Sequence, residues 1–133
     1  MGEFPDEYPE NLLERILNEG GKYEHMYVFR VAPYGFNNPD SFLSTILNDR
    51  KRGIKKNRDL NNLSTYSTSC CKTKEYAYSL KGVCFRKEPK AEVAEGEIRP
   101  DLGPCRYDVI SPHIDWWLFK DAAPWLYFIR SEA

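Results

Sequence analysis

Apolar residues recur at the spacing of one helix face in two stretches of the N-terminal half of the chain. The first stretch contains Leu12, Leu13, Ile16 and Leu17, and the second contains Phe42, Leu43, Ile46 and Leu47. Gly20 and Gly21 end the first helix, because glycine adopts the left-handed conformation that closes a helix. Asn38-Pro39-Asp40 begins the second with a capping side chain and a proline in the first turn, and Gly53 ends it. The pattern predicts two short amphipathic helices.

The remaining segments are rich in β-forming residues and are separated by Pro, Gly or Asp. The predicted strands are Met26–Ala32, Leu63–Thr68, Val83–Arg86, Val93–Ile98, Arg106–Ile110, Ile114–Phe119 and Trp125–Ile129. A third short helix is predicted from a Thr73 cap to about Leu80, with Gly82 beyond its end. Helices early and strands late favour an α+β fold with a mostly antiparallel β core, either one sheet or split into two. No linker divides the chain, so residues 1–133 are predicted to form a single domain.

Composition and charge narrow the functional classes. The net charge of −1 provides no global attraction to nucleic acid or to an anionic membrane. No apolar run approaches the ~20 residues that span a bilayer, and the acidic N-terminus lacks the features of a secretory signal. We therefore expect a cytoplasmic protein without membrane partners. Cys70, Cys71, Cys84 and Cys105 are expected to stay reduced there, and no metal site is expected from their spacing.

Three short segments carry groups that suit ligand chemistry. Arg30 lies within the apolar run Val28-Phe29-Arg30-Val31, where a cation needs a partner or a ligand because burying it unpaired is costly. The second segment is the hydroxyl-rich 64–69, Ser-Thr-Tyr-Ser-Thr-Ser. The third is Glu95-Gly96-Glu97, whose two carboxylates would share one face of a strand.

This combination resembles the three-part signature of the ADP-ribosyltransferase superfamily. Phe29-Arg30 matches the first part, Ser67-Thr68-Ser69 the second, and Glu95-Gly96-Glu97 the third. The resemblance implies a split, two-sheet fold that binds NAD and transfers ADP-ribose to a protein, nucleic-acid or small-molecule acceptor. The interval from the serines to these glutamates is shorter than is usual in the family, so Asp115 and Glu132 are alternatives for the acid.

The resemblance also implies a role for each matching residue. Arg30 would bind the pyrophosphate or a ribose. Ser67, Thr68 and Ser69 would support the nicotinamide pocket, and Tyr66 or a tryptophan would stack on the nicotinamide. Glu97 would hold the ribose hydroxyl and stabilise the charge that develops as nicotinamide leaves, while Glu95 would help to activate the acceptor. In the competing interpretation Arg30 pairs with a surface carboxylate, the serines cap a helix and the glutamates cover an exposed strand.

Two further segments suggest other functions. A non-enzymatic module could bind nucleic acid through a basic segment, whose cations are Arg50, Lys51, Arg52, Lys55, Lys56 and Arg58. It could instead bind a protein through the Trp-rich region near the C-terminus. The spacing of His113 and Asp115 places both on one strand face, where the carboxylate would orient the imidazole. That pair indicates either a structural hydrogen bond or an RNase-like acid–base centre.

Overall fold

Six antiparallel strands form the centre of the protein in a computed structural model that describes residues 2–54 and 57–132. The strands are β1 (Met26–Ala32), β2 (Thr68–Cys71), β3 (Glu92–Ile98), β4 (Cys105–Arg106), β5 (His113–Trp116) and β6 (Phe128–Arg130). Their order in one open sheet is β4-β5-β2-β1-β3-β6. The α-helices are α1 (Leu12–Asn18), α2 (Thr45–Arg52) and α3 (Lys74–Cys84). The predicted small α+β fold is confirmed, with one sheet in its β core.

Each face of the sheet packs into its own apolar layer. Alternate residues of β1 such as Val28 and Ala32 face a core that contains Ile98, Ile114 and Trp116. The other face packs against α3; that layer contains Phe29, Cys71, Ala77 and Val93. Within the described residues, no helix combines the length and the apolar composition needed to cross a bilayer.

The helix predicted to begin at Asn38 is interrupted. A 3-10 helix spans Pro39–Phe42, the next two residues are extended, and α2 begins at Thr45. The break is held by contacts distant in sequence: the Thr45 N–H donates to the Ser67 carbonyl at 2.8 Å, and the Tyr8 hydroxyl donates to Ser44 Oγ at 2.5 Å. These hydrogen bonds outweigh the helical periodicity. Gly53 ends α2 in the left-handed conformation, as predicted.

The boundaries of the serine-rich strand and the next helix also differ from the prediction. Residues Leu63–Tyr66 form a 3-10 helix that the Asn62 side chain caps, so Ser67 precedes β2 instead of lying in it. Thr73 caps α3 as predicted, since its hydroxyl accepts from the Tyr76 N–H at 3.2 Å. However, α3 continues through Gly82 to Cys84, so the predicted strand Val83–Arg86 is wrong. Gly82 thus lies inside α3 and does not end it, and a Cβ at this position would meet no neighbouring atom.

The C-terminal strands are shorter than predicted. In place of the predicted strand Arg106–Ile110, only Cys105–Arg106 is a strand, and in place of Ile114–Phe119 the strand is His113–Trp116. In the last predicted segment, Pro124–Tyr127 forms a 3-10 helix before β6. The intervening Val109 and Ile110 are almost fully exposed in a loop. Trp116 and Trp117 are completely buried. These two tryptophans therefore belong to the core and do not form an exposed partner surface.

The pairing between β1 and β2 is brief, and this opening positions Arg30. β1 pairs with β3 over seven positions, but it pairs with β2 only at Phe29 and Cys71. Beyond that point the two strands separate. The Arg30 side chain bridges the separation, because its Nη1 donates to the Ser69 carbonyl on β2.

Candidate functional site

A cavity of about 680 Å³ lies beside this opening. One face of α2 lines it with residues at i, i+3, i+4 and i+7, which are Thr45, Asn48, Asp49 and Arg52. Other parts of the wall come from the 3-10 helix at 63–66, from β2 and β5, and from the C-terminal end of α3. Small-molecule and cofactor sites have volumes of about 300–1,000 Å³. The cavity therefore has the size of a ligand site.

Arg30 is a buried cation in the wall of this cavity. Its Nε and Nη2 donate to the Ser41 carbonyl at 3.0 and 2.8 Å, and its Nη1 donates to the Ser69 carbonyl. Removal from water lowers the pKa of the guanidinium, and within the described residues no carboxylate forms an ion pair with it. Since guanidinium has five N–H donors, Nη1 and Nη2 each retain one for a further acceptor. An anionic ligand would supply both the acceptor and the missing negative charge.

His113 and Asp115 form a hydrogen-bonded pair at one side of the cavity. The register of β2 and β5 places Ser69 opposite Asp115 and Cys71 opposite His113, so all four side chains share one face of the sheet. His113 Nε2 lies 2.9 Å from Asp115 Oδ1. When this nitrogen donates the proton, the neutral ring keeps a lone pair on Nδ1. His113 can thus accept a proton while Asp115 stabilises the resulting imidazolium.

Asp115 is the centre of a wider network. Its carboxylate accepts from Ser67 Oγ at 2.7 Å, from Ser64 Oγ at 3.0 Å and from Arg106 Nη2 at 3.2 Å. Burial raises the pKa of Asp115, but the hydrogen bonds from His113, Ser67 and Ser64 outweigh it, so the net shift is downward. Asp115 is therefore ionised at neutral pH and fixes the orientation of its four partners.

This network predicts a pH-dependent stability. A carboxyl group with a lowered folded-state pKa stabilises the fold above its unfolded pKa of about 3.9, and this contribution is lost as the pH falls through the folded value. We expect Asp115→Asn to lower the free energy of unfolding by about 1.5–3 kcal/mol at pH 6, the range for hydrogen bonds to charged groups. The difference should shrink towards pH 3 in urea unfolding curves. Asp121 is exposed, so Asp121→Asn should change the free energy of unfolding by less than about 0.5 kcal/mol at pH 6. An effect of Asp115→Asn that does not change with pH would contradict the expectation.

A second cavity, of about 390 Å³, also adjoins His113. Arg106, Asp108 and Ser111 contribute to its wall together with Asp115. His113 lines both cavities. His113 is therefore placed where it could exchange a proton with a molecule bound in either cavity.

The structure brings together the two segments that resemble the first parts of the ADP-ribosyltransferase signature. Arg30 and Ser69 both line the larger cavity. Ser67 is buried beside it and donates to Asp115. Thr68 is buried with its hydroxyl donating to the Phe42 carbonyl at 3.0 Å, and Tyr66 donates to the Leu60 carbonyl at 2.8 Å. Thr68 and Tyr66 thus support the wall and do not line it.

The third part of the signature lies elsewhere. Glu95 accepts from the Tyr27 hydroxyl at 2.7 Å, which raises the pKa of Tyr27 to about 12, and Glu97 pairs with Arg99. In the sheet, β3 is two strands from β2, about 10 Å at the usual strand spacing. Glu97 is level with Tyr27, towards the end of β1 opposite to the cavity. Neither glutamate is among the described residues that line the cavity.

The basic segment is neutralised by acidic neighbours wherever the structure describes it. Arg50 pairs with Glu7, Lys51 with Asp40, Arg52 with Glu88 and Arg58 with Asp49, at distances of 3.6, 3.2, 3.1 and 2.5 Å. Lys55 and Lys56 lie outside the described residues. Arg52 and Arg58 also line the larger cavity. The described cations therefore contribute more to the walls and to local packing than to an open phosphate-binding surface.

The cysteines near the site have little nucleophilic character. Burial raises the pKa of Cys70 to about 12 and that of Cys71 to about 11. Both thiols are therefore protonated at neutral pH, and a thiol is far less nucleophilic than a thiolate. Among the described residues, no group of three or more His, Cys, Asp or Glu side chains is arranged to hold a metal ion.

Sequence reasoning missed Asn48, Ser64 and Arg106. The helical pattern identifies the apolar face of α2 but does not show that its polar face closes a cavity. The sequence identifies Ser64 only as part of a hydroxyl-rich segment and Arg106 only as part of a predicted strand. The proximity of Ser64 and Arg106 to Asp115 depends on the pairing of β5 with β2 on one side and with β4 on the other.

No family model, curated protein or solved structure matches the chain significantly.

Proposed function

We propose that the larger cavity binds NAD and that the protein transfers ADP-ribose from it to an acceptor. The observation that carries this proposal is the buried Arg30, which lines the cavity, keeps two N–H donors and pairs with no described carboxylate. A pyrophosphate suits a planar cation with several donors. The resemblance of Phe29-Arg30 and Ser67-Thr68-Ser69 to the ADP-ribosyltransferase signature supports NAD as the ligand that supplies it.

In this proposal His113 and Asp115 act at the reacting end of the site. The bond between ribose C1′ and the nicotinamide nitrogen breaks, and its electron pair leaves with nicotinamide. The acceptor forms a bond to C1′ and gives up its proton to His113 Nδ1. Asp115 is a positioning residue, because its oxygens already accept from His113, Ser67, Ser64 and Arg106. Its negative charge stabilises the imidazolium that forms.

Calorimetric titration with NAD tests the binding step, and release of nicotinamide tests the reaction. Saturable binding with nicotinamide release supports the full proposal. Binding without release identifies a module that binds NAD without chemistry. Absence of saturable binding at millimolar NAD would overturn the proposal.

The position of the glutamates gives a direct prediction. Because neither glutamate lines the cavity, and Glu95 is engaged by Tyr27 and Glu97 by Arg99, we expect Glu97→Ala and Glu95→Ala to release nicotinamide within about two-fold of the parent rate. Asp115→Asn should reduce the rate at least ten-fold, since it removes the charge that stabilises the imidazolium. If Glu97→Ala lowered the rate of nicotinamide release and Asp115→Asn did not, the acid would be Glu97. That result would contradict the assignment made from the residues that line the cavity.

One observation favours a second candidate function. The 2.9 Å contact between His113 and Asp115, with Arg30 near the same cavity, is also a suitable acid–base arrangement for cleaving a phosphodiester. Incubation with a labelled RNA oligonucleotide distinguishes the two functions. RNA cleavage that His113→Ala abolishes, without consumption of NAD, would support the hydrolase.

A further inference from the structure

The wall formed by α2 and the end of α3 carries a polar atom whose partner is absent from the described residues. Asn48 lies in α2 and lines the larger cavity. Its Oδ1 is shielded from solvent and accepts no hydrogen bond from a described residue. A buried carbonyl oxygen without a donor is unfavourable, because it has lost its hydrogen bonds to water and gained none in return. A ligand that offers an N–H or O–H at this point would remove the penalty.

A stacked pair of side chains adjoins Asn48. Arg52 follows Asn48 by one helical turn, so both project from the same face of α2. The Arg52 Cζ lies 4.5 Å from the centre of the Phe85 ring, and hydrogen bonds to Glu88 Oε1 and to the Cys84 carbonyl, each 3.1 Å long, hold the guanidinium in place. Arg52 and Phe85 both line the cavity. Guanidinium planes and aromatic rings are surfaces on which nucleobases stack.

We infer that this wall is a base-binding subsite that recognises adenine. The inference rests on the proposed function, in which the pyrophosphate of the dinucleotide lies at Arg30. An asparagine carboxamide pairs with adenine by accepting from the N6 amino group and donating to N7. Guanine and hypoxanthine carry a carbonyl oxygen in place of that amino group, so they would leave Asn48 Oδ1 without a donor. The adenine ring lies against Arg52 and Phe85 while its amino group donates to Asn48.

The test compares NAD with its hypoxanthine and guanine analogues by calorimetry on the full chain. The parent protein should bind the analogues roughly 5- to 150-fold more weakly than NAD, the discrimination expected for one bidentate contact. Asn48→Leu should bind the three dinucleotides with similar affinity, because both hydrogen-bonding groups are removed. Asn48→Asp keeps an acceptor for the amino group and should retain part of the preference, which covers the case in which the leucine variant does not fold.

Asn18→Leu is the matched control, since Asn18 is an exposed asparagine at the end of α1 and lines neither described cavity. It should retain the full preference for NAD. Equal affinity of the parent for NAD and the hypoxanthine analogue would overturn the subsite and leave the proposed function standing. Preference for NAD that survives in both Asn48 variants would also overturn it. Failure of all three dinucleotides to bind would overturn the subsite together with the proposed function.

Discussion

Replacing His113 with alanine should reduce the rate of nicotinamide release by about 10²–10⁴-fold, the usual contribution of a positioned general acid–base group. The reason is that the imidazole borders both cavities and is oriented by Asp115 at 2.9 Å. Affinity for NAD should change little, because the proposed binding contacts are made by other residues. Steady-state rates and calorimetry on the same preparation separate the two effects.

His25→Ala is the control for this substitution, because His25 is the other histidine of the chain and is exposed. It should retain the parent rate. A His113→Ala protein that is folded and fully active would show that the contact with Asp115 is purely structural. The same result would remove the hydrolase alternative, since that function also depends on His113.

Replacing Arg30 with methionine should weaken NAD binding by at least about 100-fold, which corresponds to loss of two charge-assisted hydrogen bonds. It should also lower the free energy of unfolding by about 2–5 kcal/mol, because the buried carbonyl of Ser41 and the carbonyl of Ser69 lose their donors. Calorimetry and urea unfolding measure the two quantities. The ligand effect must be measured under conditions in which the variant remains folded.

Two variants make this result interpretable. Arg30→Lys retains the positive charge but lacks the planar fork of donors, so its affinity should lie between those of the parent and the methionine variant. Arg99→Met removes a more exposed arginine that pairs with Glu97 and Asp101, and it should change the free energy of unfolding by less than about 1 kcal/mol. Unchanged NAD affinity in Arg30→Met would show that the pyrophosphate does not lie at Arg30.

Local signals in the sequence predict those elements whose stability is mainly local. β1 has the predicted bounds Met26–Ala32, and Thr73 caps α3 as its position indicates. The periodicity of apolar residues also identifies α1 correctly, with Leu12 and Ile16 buried. In these cases side-chain spacing and capping chemistry agree with the tertiary structure.

Long-range contacts explain the differences. The interruption before α2 depends on bonds from Thr45 to Ser67 and from Tyr8 to Ser44, and neither partner is near in sequence. The proximity of Asp115 to Ser67 likewise requires β5 to pair with β2. Asp115 was an alternative for the acid on sequence grounds, and strand order is what places it near the serines. Glu97 follows Glu95 by two residues in β3, as the sequence indicates, but the strand order places β1 between β3 and the strand that follows the serines.

The brief pairing of β1 with β2 has a consequence for the motions of the sheet. Strands β4, β5 and β2 form one group and β1, β3 and β6 another. In the sheet they are joined by the Phe29–Cys71 pair and by the hydrogen bond from Arg30 to the Ser69 carbonyl. Few backbone hydrogen bonds must break for the groups to move apart, whereas β1 and β3 are joined along their whole length. We therefore expect the backbone amides along this seam to exchange faster than those of the β1–β3 ladder. An anion bound to Arg30 should slow that exchange, because it would stabilise the cation that connects the two groups.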